Sequence, residues 1–122
     1  MMQMLSRNPA AAYRRVALEA RIEASGSADL TRICLEEAVA ALGQALVALD
    51  RSLAVPREPL MRAQTIMVWL AQSVSPDHPL GASLKAFYGG LASQIGANCL
   101  QADVQHIGSI QSDIRDLLAA AG

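Results

Sequence analysis

The chain has 122 residues, one domain's worth, with 52% hydrophobic but only 3% aromatic residues. Charged residues make up 17%, the formal net charge is −1 and the pI is near 6.1. These values exclude a disordered polyampholyte and leave no electrostatic case for nucleic-acid binding. Alanine fills 23 positions, and so many small residues suit close helix–helix contact better than a β-sandwich, whose strands favour branched and aromatic side chains.

Proline sets the punctuation. Pro9, Pro56, Pro59, Pro76 and Pro79 leave 10–55, 60–75 and 80–122 free of proline. A proline inside a helix costs about 3 kcal/mol, so these stretches read as helical. Further breaks fall at Ser25-Gly26-Ser27 and between Leu100 and Asp103. Residues 10–24 are helical in type, with Tyr13, Val16, Ala17 and Ala20 on one side. Ser27 reads as the N-cap of a helix running to about Ser52, with Asp29 facing the positive dipole end.

That helix carries Leu30, Ile33, Cys34, Ala38, Ala41, Leu42, Ala45 and Leu49 at three- and four-residue spacing. Leu35, Val39, Leu46 and Leu53 form a second stripe beside them, which makes it the central helix. A second helix spans about Arg57 to Val74, with the stripe Leu60, Ala63, Met67, Leu70 and Val74. A third starts at Pro79, a favoured first helical residue, and carries Leu80, Leu84, Phe87, Leu91 and Ile95. Asp103 caps a fourth, with Val104, Ile107, Ile110, Ile114, Leu117 and Leu118 in the cleanest amphipathic pattern of the chain. Short turns make neighbouring helices antiparallel. The expected fold is all-α: an antiparallel up-down four-helix bundle with an extra short N-terminal helical segment. Residues 1–122 read as a single domain, with 1–26 the N-terminal segment and 27–120 the bundle.

Catalytic and metal signatures are missing. Neither His78 nor His106 has a Glu three residues before it, as a bundle di-iron site needs, and there is no Cys-x-x-Cys, His-Glu-x-x-His or phosphate-binding glycine loop. No cofactor, no metal and no enzymatic activity are expected. His78 reads as a solvated residue of a proline-bounded turn and His106 as an exposed position in the first turn of the last helix. Cys34 and Cys99 are too few and too far apart for a disulfide framework, suggest a reducing compartment, and read as small core hydrophobes. Glu36 and Glu37 point about 100° apart and default to a solvated face. No stretch has the apolar length of a signal peptide or a membrane span.

Some apolar residues fall outside the stripes. Met61, Val68 and Trp69 lie off the Leu60–Met67–Val74 line, and Tyr88 lies at the edge of the third stripe. Methionine and amphipathic aromatics at the border of a core are what binding grooves use. The alternative, a stripe misphased by one residue, would return them to the core. Gly89-Gly90 costs roughly 1 kcal/mol per residue in a helix and is rational where another backbone comes close, or at a kink.

The run Ala12-Tyr13-Arg14-Arg15-Val16-Ala17-Leu18-Glu19, followed by Ala24-Ser25 and Asp29-Leu30, resembles the N-terminal signature of the flagellar export chaperone family FliS. Leu30 to Leu42 aligns without gaps with that family's first long helix. Leu100-Gln101-Ala102-Asp103-Val104 resembles its turn into the last helix, and Phe87-Tyr88 its Leu-Tyr in the third. Cys34-Leu35-Glu36-Glu37-Ala38 departs from the family's Leu-Tyr-Asp-Gly-Ala, and Gly26 stands where it usually has Pro.

The resemblance implies a bacterial cytosolic helical bundle that binds the disordered C-terminal segment of flagellin, keeps it unpolymerised and passes it to the export apparatus. In such a protein the cargo folds into helices on an apolar groove, here assigned to Met61, Val68, Trp69 and Tyr88. The family's N-terminal segment, here with Tyr13 and Val16, can occupy part of that groove when cargo is absent. Two other readings stand beside this one. One is a histidine phosphotransfer bundle using His106, against which Ile107-Gly108-Ser109 lacks the usual following Lys. The other is a structural bundle, a homodimer included, whose leftover apolar residues form a self-interface.

Overall fold

A computed structural model describes residues 27–52 and 54–121 of the chain. The N-terminal helical segment expected over 10–24, with Tyr13 and Val16, and Leu53 of the second stripe lie outside the described residues. Four helices and no strand occupy the described residues: α1 Ser27–Arg51, α2 Arg57–Ser73, α3 Gly81–Leu100 and α4 Val104–Ala121. By its contacts the chain divides into two compact units, 1–33 and 34–122, a division that falls within α1. Of the first unit, the described part is the opening of α1, where Arg32 pairs with Asp29 at 2.8 Å and Ile33 is buried.

The second unit is the four-helix bundle. Its core takes Cys34, Leu35, Ala38, Ala41, Leu42 and Ala45 from α1 and Leu60, Ala63, Ile66, Met67 and Leu70 from α2. Tyr88, Leu91, Ala92 and Ile95 come from α3, and Ile107, Ile110 and Ile114 from α4. The stripes expected on α1, α2 and α4 are thus largely the buried faces. On α3 Leu91 and Ile95 are buried as expected, while Leu80 is exposed and Phe87 gives its place to Tyr88. Tyr88 is 5% exposed and Phe87 39%, so Tyr88 belongs to the core and not to its edge.

Helix ends follow local chemistry. Asp103 caps α4 as expected, its Oδ1 accepting the N–H groups of Gln105 at 2.9 Å and His106 at 3.2 Å. The start of α3 is a correction: it begins at Gly81, after Pro79. His78 N–H donates to Ser75 O, Gly81 N–H to His78 O, and Leu80 N–H to His78 Nδ1 at 3.0 Å, so residues 75–80 close into a turn before the helix begins. Gly81 is required there, because a Cβ would stand 2.9 Å from Ser75 O.

Two glutamines tie helices in pairs. Gln64 Nε2 of α2 donates to Ala92 O of α3 at 3.3 Å, beside Gly96, and Gln111 Nε2 of α4 donates to Val39 O of α1 at 3.1 Å, beside Gly43. A Cβ would stand 2.5 Å from the Gln64 amide at Gly96 and 3.3 Å from the Gln111 amide at Gly43. Each glycine leaves room for the amide to reach a carbonyl one turn earlier.

Gly89 and Gly90 differ. α3 runs through both without interruption, and a Cβ at either would meet nothing within 4 Å. Among the described residues, no backbone of another element comes close to either. Gly89→Ala and Gly90→Ala are therefore each expected to stabilise the fold by about 0.5–1 kcal/mol through helix propensity. Gly81→Ala should do the opposite. Thermal unfolding of the three variants checks both signs.

Candidate partner-binding face

Each α2 side chain can be placed round its helix by the contacts of its neighbours. Arg62 faces α1: its Nη2 donates to Gln44 Oε1 at 2.7 Å and its Nε lies 3.6 Å from Glu37 Oε2. Gln64 faces α3. Leu60, Ala63, Met67 and Leu70 face the core. Opposite the core stand Met61 and Val68, one heptad apart and 53% and 41% exposed.

Trp69, 40% exposed, stands apart from these two. It follows Arg62 by seven residues and so shares the flank that faces α1, about 140° round the helix from Gln64. Of the four described residues assigned to the groove, the structure brings together Met61 and Val68. It sets Trp69 on the α1 flank and Tyr88 in the core.

The α2–α3 pair runs antiparallel, with Gln64 level with Ala92 and Gly96. One turn further along α2, Val68 is level with Gly89–Gly90, one turn back on α3. The outer surface of this hairpin therefore holds Met61 and Val68 beside a notch that no described side chain fills. Between Ala63 and Ala102 the charged residues are Asp77 and Lys85 alone. Leu80 and Phe87, 61% and 39% exposed, lie in the same stretch, Phe87 on the side of Gln94, which faces α4 through His106. The importance of Gly89–Gly90 beside Val68 is invisible in periodicity, because it depends on the register of two helices.

The charged groups lie elsewhere. Arg62 Nη1 bridges both Glu58 oxygens at 2.7 and 2.8 Å, and Glu37 is only 20% exposed beside the same guanidinium. The solvated face expected for Glu37 is thus an interhelical ion cluster, in which Arg62 Nε is buried without a hydrogen-bond partner. The partly buried setting makes this cluster worth more than an exposed pair.

Cys34 is buried, as expected of a core thiol, and Cys99 half-buried. Burial first, and Glu37 second, push the Cys34 thiol up from its usual 9.0; burial, then Cys34, push the Tyr88 phenol up from 10.0. A group held above its unfolded value stabilises the fold below that unfolded value and loses the contribution as pH rises through the folded one. The bundle is therefore expected to weaken as pH rises above about 9, first through Cys34 and then through Tyr88. Urea unfolding at neutral and alkaline pH checks this, and Cys34→Ala should flatten the first part of the decline.

His106 is half-buried, with both ring nitrogens hydrogen-bonded: Nδ1 to Asn98 at 3.0 Å and Nε2 to Gln94 at 3.2 Å. Among the described residues no cluster of three or more His, Cys, Asp or Glu could hold a metal ion, and no helix is long and apolar enough to cross a membrane. Comparison with family models, with curated proteins and with solved structures finds no match to this chain.

Proposed function

We propose that the protein is a cytosolic export chaperone that binds the disordered C-terminal segment of flagellin. It takes the segment up as an amphipathic helix, prevents its premature polymerisation and delivers it to the flagellar export apparatus. The observation that supports this reading is the outer face of the α2–α3 hairpin: exposed Met61 and Val68 beside the open Gly89–Gly90 notch, in a stretch whose charges are Asp77 and Lys85 alone.

Such a face offers little to a phosphate or a charged metabolite. It matches the apolar stripe of an incoming helix, and the notch lets that helix's backbone approach closely. The choice of flagellin as cargo rests on the order of Ala12-Tyr13, Asp29-Leu30, Phe87-Tyr88 and Leu100-Gln101-Ala102-Asp103 along the chain. Titration calorimetry with the C-terminal segment of flagellin tests it. Saturable binding with a negative heat-capacity change is expected, since a disordered cargo folds and buries apolar surface together. No binding overturns the chaperone reading. Equal binding of any amphipathic helix overturns the cargo and leaves a general helix-binding module.

A further inference from the structure

The turn between α3 and α4 is built round one buried amide. Asn98 is 1% exposed, and every polar atom of its side chain is engaged. Its Oδ1 accepts the Asp103 N–H at 2.8 Å, which fixes the orientation of the amide. Nδ2 therefore points the other way, donating to Gln94 O at 2.9 Å and to His106 Nδ1 at 3.0 Å. Since Nδ2 can only donate, Nδ1 must accept. The ring proton then sits on Nε2, which donates to Gln94 Oε1 at 3.2 Å. The network is closed only with a neutral His106 in this tautomer.

From this geometry we propose that His106 is a proton-operated latch on the α3–α4 turn. A proton taken from solvent onto Nδ1 sets an N–H against the Asn98 N–H₂, two donors facing each other in a partly buried site. Asn98 cannot turn its amide over in response, because its oxygen is needed by Asp103 N–H. The side chains that meet the imidazole come from α3, Gln94 and Asn98, and both are uncharged.

The charged residue at this turn is Asp103, whose Oδ1 accepts the N–H groups of Gln105 and His106 at the start of α4. Ala97, Gln101, Ala102 and Val104, which complete the recess at this turn, carry no charge. The latch is independent of the cargo reading, since it needs nothing outside α3, α4 and their turn.

Amide hydrogen exchange on the full chain tests this, read at the Asp103 N–H and corrected for intrinsic rates. Between pH 7.5 and pH 5 the wild type is expected to lose about ten-fold in protection, the effect of one lost hydrogen bond. His106→Asn sets an amide oxygen where Nδ1 stood and does not titrate, so its protection should change less than about two-fold. His78 accepts the Leu80 N–H at the other end of α3 in both proteins and cancels in the comparison. Equal losses in wild type and variant overturn the proposal. If the variant fails to fold, the nitrogen chemical shifts of the wild-type imidazole still decide: a neutral ring protonated on Nδ1 at pH 7.5 overturns the latch.

Discussion

Leu42→Ala and Ile114→Ala are each expected to destabilise the bundle by about 2–5 kcal/mol, measured by urea unfolding followed with far-ultraviolet circular dichroism. Both side chains are fully buried, Leu42 on α1 and Ile114 on α4. The loss has two parts: the transfer of several methylene groups and the cavity left behind. The cavity term should be large here. The neighbours of Leu42 one turn along the buried face of α1 are Ala38 and Ala45, and alanines have no rotamer freedom with which to fill a hole. A domain of this size has a total stability of about 5–15 kcal/mol, so either change removes a large share of it. Leu100→Ala, at a position 81% exposed, is the control and should stay within about 0.5 kcal/mol. Losses below that at both core positions would mean that the buried face of the bundle is not the one described.

How far the fold can be read from the sequence varies with the helix. On α1, α2 and α4 the apolar stripe stands against a polar face that sets its phase. The boundaries of these helices are legible separately, through Pro56, Pro76 and the Asp103 cap. On α3 the contrast is missing: Leu84, Phe87, Tyr88 and Leu91 on one side are met by alanine, glycine and serine on the others. With no polar face, Phe87 and Tyr88, adjacent and about 100° apart, compete for one core position. The neighbouring helices decide in favour of Tyr88.

The same limit governs the site. Met61 and Val68 stand out because they miss a well-defined stripe. That the flank of Arg62 and Trp69 faces α1, and that Glu37 pairs with Arg62 across helices 25 residues apart, follow from interhelical register, which a one-helix pattern does not contain. The Asp103 cap is legible because it is a local interaction, whereas the Asn98–His106 network joins two helices through a turn.

The variant expected to have the largest effect on cargo binding is Val68→Asp, with Met61→Asp beside it. Both replace exposed apolar side chains on the outer face of α2, so the bundle itself should remain folded and of near wild-type stability. When a helix docks, each new carboxylate would be taken out of water. For Val68→Asp the only cation between Ala63 and Ala102 is Lys85, whereas Met61→Asp has Arg57 one turn before it, so Val68→Asp should be the more damaging of the two. An unpaired buried charge costs several kcal/mol, so binding of the flagellin segment should weaken by at least about 30-fold. Gly90→Gln, which fills the notch level with Val68, should weaken binding as well, although glutamine is the better helix former and the free protein should gain stability. A variant that folds better yet binds worse is hard to explain except by lost contact.

Trp69→Ala separates two grooves. If cargo lies along α2–α3, this change on the α1 flank should cost little, as truncations at an interface rim do. If Trp69→Ala costs more than about 2 kcal/mol while Val68→Asp is tolerated, the docking face lies between α1 and α2, and Trp69 is its anchor. Full-strength binding by all four variants would remove the outer face of α2 from the site altogether.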